Sequence, residues 1–233
     1  MCTSDILGVF FMANRIMFGL VLVGLLSGVA FAISNATTTT IYTNRWDGIM
    51  AQTALATTGG NITGINIATT QLTKKWASFN GNVTGNIVLG TNTANVYSWT
   101  YVTSAGGKVC VSTNGTQSFA TPITAVVANI NTAFNTTGAP DDAAGTFNTT
   151  CPTLNIATGP LAGFIAAKTQ GSSTFTTCAA TITGATAIGN HFFCTSINGT
   201  PGKNYLNNNA NFEIIAPAGA FTGTTYYFFA ELM

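Results

Sequence analysis

The side chains that could do acid–base chemistry are few, and their spacing singles out no catalytic set. His191 is the only histidine in the chain, and its neighbours supply no nucleophile with a base beside it. Hydrolysis of a glycoside needs two carboxylates on opposite sides of a sugar. Asp47, Glu213 and Glu231 could converge in this way, but no spacing pairs any two of them. We therefore expect no catalytic residues and no enzymatic activity.

Metal, cofactor and nucleic-acid sites are also not indicated. Asp141 and Asp142 are adjacent acids with the oxygen ligands that calcium prefers, but the EF-hand spacing is missing. Cys194 alone stands at ligand spacing from His191, which does not make a zinc site. The seven basic residues are balanced by six acidic ones, and no phosphate-binding glycine loop is present. We expect no metal, no cofactor and no nucleic-acid partner.

Cysteine is the residue type with a clear chemical use. Beyond the N-terminal leader the chain holds four cysteines, Cys110, Cys151, Cys178 and Cys194. An even number in a secreted chain indicates two disulfides, for which three pairings are possible. The pairing expected here joins Cys110 to Cys151 and Cys178 to Cys194.

N-glycosylation sequons form the second chemical motif. They lie at Asn35, Asn61, Asn82, Asn114, Asn135, Asn148 and Asn198. A chain this rich in asparagine and threonine would contain about five by chance, so the motif permits glycosylation without proving it. The alternatives are a β-protein without glycans and a glycan coat, and we expect the coat because the chain reads as secreted.

The first 32 residues read as a secretory signal peptide. Arg15 provides the positive charge, residues 16–26 form the apolar segment, and the sequence Ala-Phe-Ala ends at Ala32. Cleavage after Ala32 would leave Ile33 as the new N-terminus. The alternative is an uncleaved anchor over residues 16–33, which is at the short end of a membrane span. A membrane partner is expected only in that second case.

The low charge of the chain fits an extracellular surface. Charged residues make up 6% of the sequence, against 42 threonines and 23 asparagines, whereas about a quarter is usual in soluble domains. Solubility must therefore come from hydroxyls, amides or sugars. We expect an extracellular protein at the cell surface.

The residue pattern predicts an all-β fold, an antiparallel β-sandwich of the jelly-roll kind with one short helix. Valine, isoleucine, threonine and aromatic residues suit strands, and glycine and asparagine punctuate them as turns. Helical spacing of apolar residues predicts the helix at 121–135, and a second helix or turn at 161–168. Strands are predicted at residues 82–89, 96–103, 108–113, 174–182, 191–195, 212–215 and 224–232.

Two of these strands, 96–103 and 108–113, are expected to pair as a hairpin across Ser104-Ala-Gly-Gly107. Tyr97, Trp99 and Tyr101 would share one face of the first strand. Because aromatic side chains bury a large area, we expect this row to belong to the core or to a covered sheet rather than to a ligand platform.

Residues 33–43 form an extension ahead of one domain that spans 44–233. The extension is uncharged, free of glycine and prone to form a strand. Such a segment can complete a neighbour's sheet as a donor strand, with Ile33, Ile41 and Tyr42 as its apolar residues. The alternatives are a mobile stalk and pairing within its own subunit.

Several phrases resemble a group of secreted archaeal surface proteins. They are WASFNGNVTGNIVL at 76–89, VYSW at 96–99, GKV at 107–109, FEIIAP at 212–217 and YYFFAEL at 226–232. The resemblance implies an archaeal exterior and a β-rich fold. In architecture the chain is also similar to archaeal thread-like and bundling pili built by strand donation. No catalytic residue carries over.

The function expected from these features is structural. The chain would be the repeating subunit of an extracellular filament or surface layer, with copies of itself and covalent N-glycans as partners. A head-to-tail contact of this kind does not close and gives a fibre. The alternatives are a monomeric adhesin or glycan-binding module and an extracellular hydrolase.

Overall fold

The computed structural model describes part of the chain. The described residues are 34–35, 38–41, 43, 56, 58–66, 72–91, 94–138, 140–156, 159–169, 175–184, 186–219 and 224–233. The chain divides into two units, Met1–Ala32 and Ile33–Met233, and every described residue belongs to the second. The predicted leader, Ile33, Tyr42 and Asp47 lie outside the described residues.

Strands dominate the described residues. The helices are α1 (Val127–Phe134) and α2 (Ala143–Thr146). The strands are β1 (Ser34–Asn35), β2 (Trp76–Gly81), β3 (Asn86–Gly90), β4 (Asn95–Thr100), β5 (Gly107–Ser112), β6 (Ile123–Thr124), β7 (Thr149–Thr150), β8 (Asn155–Ile156), β9 (Gly159–Pro160), β10 (Ile165–Lys168), β11 (Thr176–Thr181), β12 (His191–Ser196), β13 (Gly202–Lys203), β14 (Asn209–Ala210), β15 (Phe212–Pro217) and β16 (Tyr227–Leu232). Within these residues, no helix has the length and apolar character needed to cross a membrane.

The predicted all-β, antiparallel class is confirmed. One large sheet has the strand order β1-β16-β5-β12-β11-β10-β7, and β6 adds to β11. Its pairings are all antiparallel. Four two-stranded sheets accompany it: β2 with β15, β3 with β4, β8 with β9, and β13 with β14.

The central strands of the large sheet are buried on both faces. In β12, Phe192 and Cys194 face one core cluster, while Phe193 between them faces the other. Loops and the disulfides cover the first face, where Phe119, Leu154 and Leu161 are buried. The β2–β15 ribbon and the two helices cover the second face.

The predicted pairing of residues 96–103 with 108–113 is wrong. The strand β4 pairs with β3, whereas β5 pairs with β12 and β16. Every residue of β5 is buried, and every residue of β4 is exposed. A strand buried on both faces needs apolar neighbours on both sides, and burial therefore overrides the local turn sequence between them.

Two helix predictions also change. The helix expected at 121–135 begins at Val127, because Ile123–Thr124 pairs with β11 and the N–H of Ala125 donates to the carbonyl of Ala179 at 3.4 Å. The second predicted helix or turn, at 161–168, begins as a turn, in which the N–H of Phe164 donates to the carbonyl of Leu161 at 3.1 Å, and continues as the strand β10, which pairs with β7 and β11. Pairing in the sheet satisfies these backbone groups in place of a helical turn.

Two disulfides are present, but the predicted pairing is wrong. Cys110 is bonded to Cys194 and Cys151 to Cys178. Cys110 and Cys194 are register partners on the adjacent strands β5 and β12. Cys178 on β11 is the register partner of Cys194 on its other side, and its bond goes instead to Cys151, just after β7. Register thus places Cys194 between Cys110 and Cys178, and its bond goes to Cys110. The spacing of cysteines along the chain reveals neither neighbour.

Candidate functional site

The outer edge of the C-terminal strand β16 is the first candidate site. On its inner side, β16 pairs with β5 along all six residues, Tyr227–Leu232. On its outer side, within the described residues, it pairs with β1 at two positions, Ala230 with Ser34 and Phe229 with Asn35. Beyond these two positions, no described strand pairs with the outer side of β16, and an unpaired strand edge can accept a further strand.

The segment predicted as a donor strand thus touches this edge in its own chain. Pairing within the same subunit was one of the alternatives for residues 33–43. Of the three apolar residues predicted for that role, Ile41 is described and is 81% exposed, while Ile33 and Tyr42 lie outside the described residues.

The inner side of β16 approaches β5 closely at its C-terminal end. Gly107 has a φ of 145°, and a Cβ at this position would collide with the main-chain oxygen of Glu231. Glycine is therefore required there. Next to it, Nζ of Lys108 lies 3.3 Å from Oε2 of Glu231. These contacts hold the C-terminal end of β16 against β5, on the side opposite to the outer edge.

The β3–β4 hairpin is the second candidate site, and one of its faces is apolar. Cross-strand register places Ile87 opposite Trp99 and Leu89 opposite Tyr97, so that all four side chains share a face. Their exposed fractions are 38% for Ile87, 57% for Leu89, 58% for Tyr97 and 49% for Trp99. The ring centroids of Tyr97 and Trp99 are 4.7 Å apart. We call these four residues the hairpin face.

The expectation that Tyr97, Trp99 and Tyr101 form a covered row is correct for Tyr101 only. Tyr101 is 7% exposed, whereas Tyr97 and Trp99 are about half exposed. The alternation of Ile87 with Leu89 and of Tyr97 with Trp99 could have indicated one apolar face. Sequence alone could not indicate that the face would stay open, because that depends on which strand pairs with β4.

The base of the hairpin and the C-terminal end of β16 pack against the same apolar cluster. The N–H of Tyr101 donates to the carbonyl of Gly85 at 2.9 Å, and its hydroxyl donates to the carbonyl of Gly106 at 2.7 Å. A Cβ at Gly85 would lie 3.0 Å from Cδ1 of Leu232. Tyr101 and Leu232 belong to one apolar cluster. The base of the hairpin therefore lies against the C-terminal end of β16.

The acids considered for hydrolysis have separate surroundings. Glu213 lies on β15, is 3% exposed, and its Oε2 has no hydrogen-bond partner. Burial raises the pKa of Glu213, partly offset by a hydrogen bond from the backbone of Tyr205. Glu231 lies in the large sheet and pairs with Lys108. Glu213 and Glu231 therefore have different surroundings, and Asp47 lies outside the described residues.

The adjacent acids Asp141 and Asp142 have structural partners. Oδ1 of Asp141 lies 2.8 Å from Nζ of Lys75, and Oδ2 accepts a hydrogen bond from Thr73 at 2.7 Å. These hydrogen bonds, with that of Lys75 the larger cause, lower the pKa of Asp141. Oδ1 of Asp142 accepts from the N–H of Gly145 at 2.7 Å and so caps α2. These contacts tie the loop that carries the two acids to the rest of the fold.

His191 lies in the core, 1% exposed, and its ring is 6.0 Å from that of Phe134. Its carbonyl accepts a hydrogen bond from the hydroxyl of Ser112 at 3.1 Å. Among the described residues, no group of three or more His, Cys, Asp or Glu side chains is placed to hold a metal ion.

The sequons differ in accessibility. Asn61, Asn82, Asn135 and Asn148 are exposed, Asn114 and Asn198 are half-buried, and for Asn35 the backbone alone is described. Thr136, the middle residue of the Asn135 sequon, is buried and donates its hydroxyl to Oδ1 of Asn131 at 2.8 Å. Thr137, which supplies the hydroxyl of this sequon, is exposed together with Asn135.

Comparison with known proteins gives no similarity to report: no family model matches this chain, and neither a curated protein nor a solved structure matches it significantly.

Proposed function

We propose that this chain is the structural subunit of an extracellular archaeal filament or cell-surface polymer, joined by exchange of β-strands between copies. The observation that carries the proposal is the pairing of Ser34–Asn35 with the outer edge of β16. The same main-chain hydrogen bonds can form within one chain or between two chains. In the polymer, residues 33–43 of one copy, with Ile33, Ile41 and Tyr42, would occupy the β16 edge of the next.

The length of chain between β1 and the folded domain supports exchange. Residues 36–75, a stretch of 40, separate Asn35 from Trp76. Thr73 and Lys75 are hydrogen-bonded to Asp141, so the connection available for exchange is residues 36–72. Extended, it spans up to about 120 Å, whereas a domain of this size is roughly 40 Å across. Each copy would donate its segment to one neighbour and accept the segment of another neighbour. Such a head-to-tail contact propagates without closing.

The chemistry of the chain supports a place outside the cell. Two disulfides persist in oxidising surroundings, and residues 1–32 have the pattern of a signal peptide. In this proposal the leader is cleaved, the β2–β15 ribbon forms the second layer of a sandwich, and N-glycans occupy exposed sequons such as those at Asn61 and Asn82.

The exposed pair Tyr97 and Trp99 favours a second candidate function. Aromatic rings on an accessible surface can stack on sugars, so a monomeric adhesin or glycan-binding module would use this pair as its platform. A polymer subunit would instead cover the two rings with protein.

Mixed cysteine variants test strand exchange directly. Ser34 and Ala230 are register partners, close enough for a disulfide if both are cysteine. Chains carrying S34C are mixed with chains carrying A230C and oxidised mildly. Exchange predicts cross-linked heterodimers on non-reducing gels, together with filaments of the unmodified chain in electron micrographs. The native disulfides are buried and should not interfere.

The matched control replaces A230C by Y227C, which lies on the same strand but out of register with Ser34. This mixture should remain unlinked. If the double variant S34C/A230C closes within one chain while the mixed single variants stay monomeric, the segment pairs in its own subunit and strand exchange is wrong.

A further inference from the structure

The hairpin face is an apolar surface that the described part of the chain leaves uncovered. The β3–β4 ribbon pairs with no other described strand, and a lone two-stranded ribbon is marginally stable in water. Its four large side chains, Ile87, Leu89, Tyr97 and Trp99, are contiguous. Most other exposed apolar side chains of the domain are dispersed along the chain, and single exposed apolar residues need no explanation.

The lack of charge around the hairpin limits the kinds of partner that the hairpin face can bind. Residues 76–107 contain no Asp, Glu, Lys or Arg. Complementary charge normally selects a distinct partner and suppresses wrong ones, and the hairpin has none to offer. An uncharged apolar face meets no like-charge repulsion from a copy of itself.

We propose that the hairpin face docks against the same face of a second copy of this chain. Two such faces would pack as layers about 10 Å apart, with eight apolar side chains between them. The contact is isologous, unlike the head-to-tail contact of strand exchange. The proposal rests on the proposed function for its setting, because it adds a second interface to the polymer.

The area of the hairpin face is that of a weak contact, one that adds to a stronger interface between copies. Four side chains that are about half exposed offer roughly 400 Å² per copy, about half of what each partner contributes to a stable interface. Such a contact is weak alone and becomes effective when copies are already held together. Gly85, at the base of the hairpin, lies against Leu232 of β16, the strand proposed to accept the exchanged segment.

The test uses the full chain with the S34C/A230C cross-link closed within each molecule, so that strand exchange is blocked. Sedimentation velocity over concentrations up to about 1 mM should show a reversible dimer. Leu89 on the hairpin face and Val88 on the opposite face are adjacent and similarly exposed, 57% and 49%. L89K should weaken the dimer by about tenfold or more, and V88K by less than about twofold.

The outcomes separate this inference from the proposed function. A locked chain that stays monomeric, or equal effects of L89K and V88K, would overturn self-docking even if the mixed cysteine variants cross-link. A locked dimer that L89K abolishes would support it even if those variants fail to cross-link. The third outcome is a locked chain that stays monomeric and whose tryptophan emission changes when a neutral oligosaccharide such as maltohexaose is added. If this change is absent in W99F, the hairpin face binds sugars and the proposal is overturned.

Discussion

Lys108 of β5 and Glu231 of β16 are register partners, and their side chains form an ion pair at 3.3 Å. The Lys108 side chain is 7% exposed and that of Glu231 22%. Nζ of Lys108 also lies 3.2 Å from Sδ of Met233. A buried ammonium group needs an opposite charge nearby, and Glu231 supplies it. The ion pair therefore ties β16 to β5 in the large sheet.

Removing one partner of this pair should cost more than removing both. E231Q leaves the buried ammonium of Lys108 without its counter-charge and is expected to lower the free energy of unfolding by about 3 kcal/mol. K108M/E231Q replaces the pair with uncharged side chains and should be more stable than E231Q alone. Urea unfolding at pH 7 measures both. A double variant less stable than E231Q would contradict this account.

Glu213 should make stability depend on pH. Burial raises its pKa, so the folded chain keeps this proton at pH values where the unfolded chain has lost it. Folding is therefore penalised progressively as pH rises above the unfolded pKa of about 4.3. E213Q should match the parent at pH 3 and exceed its free energy of unfolding at pH 7. Equal differences at both pH values would refute this.

Asp141 should act in the opposite direction. Hydrogen bonds from Lys75 and Thr73 lower its pKa, so its contribution is present above the unfolded pKa of about 3.9 and is lost as pH falls through the folded value. D141N should destabilise the chain at pH 7 by no more than about 1 kcal/mol, since the pair is partly exposed. T73A, which keeps the charge pair, should cost less. If D141N remains equally destabilised in strong acid, where Asp141 is protonated in both states, the ionised carboxylate is not the cause.

The two disulfides should differ in what they contribute. The bond between Cys110 and Cys194 spans 84 residues of sequence, and that between Cys151 and Cys178 spans 27. Chain entropy then makes C110A/C194A about 1 kcal/mol more destabilising than C151A/C178A. All four cysteines lie in one core cluster, so the buried volume lost is similar. Urea unfolding compares the variants, and the reverse order would contradict the entropic reading.

Local sequence was sufficient for the type of many elements and insufficient for their partners. Strands predicted at 191–195 and 212–215 exist as His191–Ser196 and Phe212–Pro217, because their β-branched and aromatic residues favour strands wherever they pair. The partner of β5 was missed, since a four-residue turn sequence is a local signal while burial on both faces is a property of the whole sheet.

The candidate site was predictable in part for the same reason. The segment 33–43 was identified from its composition, and its contact with Phe229 and Ala230 depends on where the large sheet ends. The aromatic alternation of Tyr97 and Trp99 was visible, but their exposure follows from the pairing of β4 with β3. The disulfides likewise required the register of β5, β11 and β12, which no spacing of cysteines encodes.

The absence of charge across residues 76–107 has a consequence for the medium in which this surface works. Dissolved ions screen interactions between charges, and the hairpin has no charges to screen. Burial of its apolar side chains is instead strengthened by excluded salts such as sulfate. A contact made through this hairpin would therefore hold in dilute water and in brine alike, a property suited to a surface that cannot regulate its own surroundings.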